Sequence, residues 1–373
     1  MTRLPSVCFV GYFNLPILAR GFENHRTGGE EVQQTLLARA LAARGYPVSM
    51  VVADYGQPDG KQWNGITAYK TYKPDDGMPG VRFLHPRWTS LHSALKRANA
   101  DVYYVSPAGA QLGQVMMFAR RHGKRVIFRS AHDANCSPKT LMIGLWRDRR
   151  LYEYGLYRAD SVLAQTEPQQ RMFLENYNLP TEVAVMMVEP ALRDLPFATR
   201  DVDVLWVNNL RRFKRPDRFV DLARLLPGRN LHMVGGEVPG FADVHQALAR
   251  DLPGVPQVNW HGAVPYHDVN DLYERARVFV NTSDTEGFPN SYLQAWIRGV
   301  PVVAYFDPGG VIAREGLGVV PTSTEDMAAA VNRYLNDEQA WRDASQRCRN
   351  FMAAHYDEDT ILAPYISAIH GAA

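Results

Sequence analysis

Short apolar runs alternate with amphipathic helical patterns along almost the whole 373-residue chain, and this alternation constrains the fold more than any other feature. Residues 7–11, 48–52, 101–105, 125–128 and 161–164 read as strands. Between the first two, Val32, Leu36, Leu37, Ala40 and Leu41 recur at helical spacing and Gly45 closes the helix. After Pro190 and Pro196 the rhythm restarts. Strands are expected over 202–207, 231–234, 258–261, 278–280 and 300–304, with helices over 217–226, 268–275 and 291–298. Such alternation calls for parallel strands with helices on both faces. The fold class is therefore α/β, with two doubly wound Rossmann-like domains facing a central cleft. The first domain is expected over 1–195, with a C-terminal helix over 356–373 packing back on it, and the second over 196–355. An apolar share of 46% is ample for two cores.

Composition narrows the function. A net charge of +2 is no nucleic-acid signature. Cys8, Cys136 and Cys348 are far apart and lack metal-ligand spacing, which suits a reducing compartment. The first residues are interrupted by Pro5, Gly11, Asn14 and Pro16, so they form no signal-peptide core, and no run approaches the roughly 20 apolar residues that span a bilayer. A soluble cytoplasmic protein is expected.

In parallel α/β folds the chemistry lies beyond the carboxyl ends of the strands. Glu286 sits just after the 278–280 run. Gly287 and Pro289 make a turn, Asn290 reads as an N-cap, and the N–H groups of Ser291, Tyr292 and Leu293 suit a phosphate. An acid there would repel the phosphate itself, so Glu286 is better placed for hydroxyl groups attached to it. The cluster Arg211-Arg212-Phe213-Lys214-Arg215 follows the strand ending at Val207 and suits a diphosphate, although a run of cations is often only a solvated loop. Gly28-Gly29-Glu30-Glu31 opens the first helix, and its glycines allow close approach of a ligand. It is not GxGxxG, so a nicotinamide cofactor is unsupported. His132 follows the 125–128 run and is placed to donate to a substrate.

Taken in order, these segments resemble the retaining glycosyltransferases of family 4, which have the GT-B fold. The matching pieces are Gly28-Gly29-Glu30, His132, the run from Ala159 to Thr166, Arg211 with Lys214, His261-Gly262, Glu286-Gly287-Phe288-Pro289, and Gly299 to Ala304. The resemblance implies that Arg211 and Lys214 bind the donor diphosphate and stabilise the leaving group, that Glu286 binds donor-sugar hydroxyls, and that His132 lies near the reacting carbon. It implies that Phe288, Pro289, Asn290 and Ser291 hold sugar and phosphate through backbone groups. Gly29 would close over the phosphates, and Gly262 to Val264 would meet the base. The family pattern is a Glu, seven residues and a second Glu that accepts from the ribose. Gln294 stands at that second position here, which implies nucleotide binding weakened by about five- to tenfold. The domain junction departs as well: Val188-Glu189-Pro190-Ala191 replaces the family's Asn-Gly-Val-Asp run.

The implied activity is transfer of a hexose from a nucleotide sugar, UDP-sugar before GDP-sugar, to a glycan or lipid-linked acceptor in polysaccharide biosynthesis. No cofactor is expected, and no metal, because Arg211, Lys214 and the helix dipole carry the leaving-group charge. Two other classes fit the fold: a sugar-nucleotide epimerase, and a binding subunit without catalysis, suggested by Gln294. The segment 139–152 mixes apolar, aromatic and basic residues. It reads either as a packed helix or as one resting on the inner face of an anionic membrane, a peripheral contact that suits a lipid-linked acceptor. Residues 63–88 read as a long loop, either ordinary or shaping the acceptor pocket.

Overall fold

The computed structural model describes residues 3–22 and 28–371. The chain forms two compact units, residues 1–187 with 358–373, and residues 188–357.

The first unit is built on an eight-stranded sheet: β1 (Val7–Val10), β2 (Val48–Val52), β3 (Lys61–Trp63), β4 (Ile66–Lys70), β5 (Val102–Val105), β6 (Arg125–Arg129), β7 (Ser161–Ala164) and β8 (Glu182–Val183). Their order is β3-β4-β2-β1-β5-β6-β7-β8. All pairs are parallel except β3, which runs antiparallel on β4. Every residue of β1, β2 and β5 is buried, which is why these strands read as unbroken apolar runs. The β3–β4 hairpin departs from the long loop expected over 63–88. Asn64 and Gly65 have φ of 52° and 77°, the left-handed pair that a two-residue hairpin turn requires. A π-helical turn, Phe83–Trp88, completes that region. The helix expected over 139–152 begins only at Trp146 and runs to Leu156, because Gly144 and the extended Leu145 before it do not support a helical turn.

The terminal helix Glu358–His370 belongs to this unit. Its Tyr365 hydroxyl donates to the carbonyls of Val185 (2.8 Å) and Ala184 (3.2 Å). Tyr46 and His370 lie 2.8 Å apart, and Arg44 pairs with Glu358 and Asp359.

The second unit has six parallel strands: β9 (Val202–Val207), β10 (Leu231–Val234), β11 (Val258–Trp260), β12 (Ala276–Asn281), β13 (Val302–Ala304) and β14 (Gly318–Val319). Their order is β11-β10-β9-β12-β13-β14. This is the doubly wound order in which the first strand lies inside the sheet and the connections reverse beside it, between β9 and β12. The unit begins at Val188, earlier than the division expected after residue 195. The intervening segment is tied to the helix Tyr266–Arg275: the Leu192 N–H donates to Glu274 (2.9 Å), and Arg193 pairs with Glu274 and Asp271. Among the described residues no helix is long and apolar enough to cross a membrane.

Arg200 fixes the start of this sheet. It is 1% exposed and donates to the carbonyls of Leu195 (2.9 Å), Ala276 (2.7 Å) and Arg298 (2.8 Å). Burial pushes its guanidinium down to about 10. Arg200→Met strands these buried carbonyls and is expected to lower stability by about 3 kcal/mol in chemical denaturation. A loss under about 0.5 kcal/mol, within the range of ordinary surface substitutions, would show that the three bonds are dispensable.

Candidate functional site

The switch point of the second sheet brings two loops together, one after β9 and one after β12. Thr282 joins them. Its Oγ1 accepts from the Trp206 indole N–H at 2.9 Å and lies 2.9 Å from the carbonyl oxygens of both Lys214 and Arg215. The Asp284 N–H donates to the Phe213 carbonyl at 2.8 Å, and Arg218 pairs with Asp284 at 2.8 Å. The loop after β9 turns through Arg215, which has φ of 50°, and passes into a helix opened by Pro216. Arg215 is held in that left-handed turn by Asp217, at 2.6 Å.

The result is an ion pair. The Lys214 ammonium binds both carboxylate oxygens of Glu286. The two side chains are 15% and 9% exposed. Glu286 also accepts from the Ser283 hydroxyl at 2.7 Å and the Asn281 amide at 3.4 Å. Asn281 in turn accepts from the Ser283 N–H at 2.8 Å. Burial pushes the Lys214 ammonium below its usual range; the Glu286 carboxylate opposes this and nearby Arg211 adds to it. The structure thus joins two residues that sequence reasoning treats separately, one for a diphosphate and one for hydroxyl groups. In this state each neutralises the other. A polar ligand that offers an anion to Lys214 and hydroxyls to Glu286 can replace both halves of the pair.

The helix after the turn is Asn290–Ile297, and its cap is Pro289, not Asn290 as expected. Pro289 has φ of −72° and ψ of 121°, extended backbone that enters the helix without a side-chain cap. Ser291 lies in the first turn. The Tyr292 N–H, expected to be open, donates to the Pro289 carbonyl at 3.1 Å. Phe288 packs edge-on to Trp296, with centroids 6.2 Å apart, which fixes the turn over the helix. Gln294 is 5% exposed, and its carbonyl accepts from Arg298 at 2.7 Å.

Gly262 and Val264 lie in the loop after β11. The Gly262 carbonyl accepts from the Gly235 N–H at 2.8 Å. A Cβ on Gly236 would stand 2.6 Å from that of Ala263, so this approach of the loops after β10 and β11 requires glycine.

His132 and Gly29 belong to the first unit. His132 caps a short turn, Asp133–Cys136, and its Nδ1 accepts from the Ala134 N–H at 3.0 Å. That bond places the ring proton on Nε2. Asn135 holds the turn by accepting from the N–H groups of Ala131 (3.0 Å) and His132 (3.2 Å). Gly29 is the first residue of the helix Gly29–Ala43, capped by Gly28. Beside it Glu30 pairs at 3.5 Å with Arg129, which is 1% exposed. Burial raises the Glu30 carboxyl to about 7, against the pull of Arg129.

Sequence reasoning missed Asn281, Thr282 and Ser283, the residues that hold the Lys214–Glu286 pair in place. The signal was present: five polar residues, Asn281 to Thr285, stand between the apolar run 278–280 and Glu286. It also missed Arg129, whose charge lies hidden at the end of an apolar strand.

Two doubly wound, mainly parallel sheets, with charged loops at the carboxyl edge of the second, define a two-domain α/β protein of the kind that binds ligands at strand ends. Two family descriptions match the chain in tandem: Glycosyltransferase Family 4 over residues 27–186 and Glycosyl transferases group 1 over residues 201–337. An uncharacterized glycosyltransferase of Haemophilus influenzae is 21% identical over 350 residues, 90% of this chain and 94% of that one. A lipopolysaccharide 1,6-galactosyltransferase of Salmonella typhimurium is 28% identical over 169 residues, 43% of this chain and 46% of that one, so the match spans about half of its length. Among solved structures, Anabaena HepE in complex with UDP-glucose superposes with a TM-score of 0.76 at 16% identity, covering 99% of this chain and 100% of that one. The chain belongs to the family 4, group 1 glycosyltransferases and has their GT-B fold. It is a glycosyltransferase.

Removing one member of the buried pair leaves the other charge uncompensated. Lys214→Ala is expected to destabilise the second unit by about 3–5 kcal/mol. Lys214→Ala with Glu286→Ala should cost clearly less than the sum of the two single changes. Additive costs in chemical denaturation would mean that the two side chains do not interact in solution.

Proposed function

We propose that the chain transfers a hexose from a nucleotide sugar, a UDP-sugar before a GDP-sugar, to a hydroxyl of a glycan or glycolipid acceptor in the assembly of a cell-surface polysaccharide, with retention at the anomeric carbon. The observation that carries this reading is the buried Lys214–Glu286 pair at the β9/β12 switch point. It supplies a cation for a diphosphate and an acid for sugar hydroxyls at one place. The named activity of the Salmonella relative and the UDP-glucose bound by HepE support the choice of sugar donor and acceptor class.

The demanding step is cleavage of the bond between the anomeric carbon and the diphosphate. Negative charge builds on the departing oxygen. Arg211, Lys214 and the first turn of the helix at Ser291 stabilise it in a partly dehydrated site, where such groups act strongly. Glu286 holds sugar hydroxyls, with Ser283 and Asn281 orienting its carboxylate. The bond from the acceptor oxygen to the anomeric carbon forms as the diphosphate leaves, and the acceptor proton passes to a diphosphate oxygen. Phe288, Pro289, Asn290, Gly262, Val264 and, in the first unit, Gly29 and His132 keep the binding roles that the family resemblance implies. No metal is assigned to the step, since the cations of the chain meet the leaving-group charge.

Glu286→Ala is expected to lower turnover at least about a hundredfold while sparing nucleotide binding within about threefold, checked by donor consumption and calorimetry. In the same assay EDTA should leave the rate unchanged. An isomerised nucleotide sugar formed without acceptor would replace this reading by the epimerase; a rate abolished by EDTA and restored by a divalent cation would add a metal to the step.

For the acceptor side we propose a peripheral contact with an anionic membrane at the cytoplasmic face. Met142, Leu145 and Trp146 are 72%, 58% and 78% exposed, an unusual density of apolar side chains on a surface. Arg147 lies 3.4 Å over the Phe83 ring, which joins this stretch to exposed Val81 and Leu84. Vesicles containing anionic lipid should co-sediment the protein, and Trp146→Glu with Leu145→Glu should abolish this. Equal sedimentation of the variant would remove the membrane from the account.

A further inference from the structure

Two departures from the family pattern, Gln294 and the junction residue Glu189, meet around one buried cation. Arg298 is 1% exposed, and its Nη1 donates to the Gln294 carbonyl at 2.7 Å. A guanidinium only donates, so the amide must turn its oxygen to Arg298 and leave its NH2 as the free edge. Gln294 therefore turns donors to a ligand, and its one acceptor oxygen is already engaged by Arg298. Glu274, 2% exposed, is 4.0 Å from Arg298 and is also bound by Arg193.

Glu189 stands on another side of this cluster. Its Oε2 accepts from the Tyr266 hydroxyl at 2.7 Å and from the Asn270 amide at 2.8 Å. Both partners lie on the helix Tyr266–Arg275, and Tyr266 is its first residue, two positions after Val264 in the loop beyond β11. The donors fix the carboxylate at the strand-end edge of the sheet. Glu189 is half-buried, and both of its hydrogen bonds among the described residues are made at Oε2, which leaves Oε1 unpaired. Acids already surround the two arginines, with Glu274 shared between Arg298 and Arg193 and Asp271 also on Arg193.

Resting on the nucleotide-sugar reading above, we propose that Glu189 is the residue that accepts from the ribose hydroxyls of the nucleotide, in place of the acid absent at position 294. A half-buried carboxylate with one unpaired oxygen at a strand-end edge suits a ribose diol, whose hydroxyls can donate to it. Gln294 then serves as a positioning residue that holds Arg298 beside this edge, with its amide donors turned to the ligand.

The test is calorimetry on the full chain with UDP and 2′-deoxy-UDP, or the guanosine pair if GDP is the nucleotide bound. The wild type should prefer the ribonucleotide by about tenfold. Glu189→Gln keeps an acceptor oxygen for Tyr266 and Asn270. It should weaken ribonucleotide binding about five- to tenfold, bring the ribo-to-deoxy ratio near one, and change Tm little. Glu189→Gln with Gln294→Glu should recover part of the preference. Equal weakening toward both nucleotides, or an unchanged ratio, would show that Glu189 only anchors the helix and would overturn the proposal. A wild type that ignores the sugar 2′-hydroxyl would overturn it too. A wild type that binds neither nucleotide would instead sink the nucleotide-sugar reading beneath it.

Discussion

A lysine and a glutamate, both largely removed from water, face each other where the second sheet reverses its connections. Neither charge is stable there alone, because desolvation of an isolated ion costs far more than its neighbours return. The surrounding structure serves to keep them together. Adjacent strands β9 and β12 end at the same edge, and Thr282 binds one loop to the other. Asn281 and Ser283 aim the carboxylate. The pair also makes the site responsive. A buried pair satisfied by its own members holds two groups of opposite chemistry at the spacing a charged, hydroxyl-rich ligand needs. The ligand has to offer both an anion and hydroxyl donors to replace what it displaces, and a molecule with only one of these leaves a buried charge unmet. Under the proposed function, selectivity for an intact sugar phosphate follows from that asymmetry.

The central strands were legible in the sequence because parallel strands buried on both faces read as continuous apolar runs. Residues 161–164, 202–207 and 231–234 were read with the bounds that the structure has. Exposed or short elements were not legible. β3 has two exposed residues of three and no apolar run, so only the Asn64-Gly65 pair announced its hairpin. The π-helical turn Phe83–Trp88 contains Pro86 and buries none of its residues, so it left no periodic trace.

In the candidate site, strand-end position singled out Glu286 and the cationic cluster 211–215, and the family resemblance picked Lys214 from that cluster. Their pairing was not readable, because it depends on β9 lying beside β12, strands that are neighbours in space and separated in sequence by β10 and β11. The Gln294–Arg298 contact was readable in principle, since the two stand four apart at a helix end. Seen that way, Gln294 ceases to be a weakened ribose acid and becomes the partner of a buried cation. Glu189 needed the path of the chain after Met187, which brings the junction back along the helix Tyr266–Arg275. A single sequence carries no periodic or local signal for such a return.

The most direct test of the account is a crystal structure of the protein with an intact, non-hydrolysable nucleotide sugar. The account predicts that the Lys214 ammonium leaves the Glu286 carboxylate for a diphosphate oxygen while Glu286 accepts from sugar hydroxyls, with Ser283 still bound to it. A donor seated elsewhere, with the Lys214–Glu286 pair intact beside it, would contradict the account.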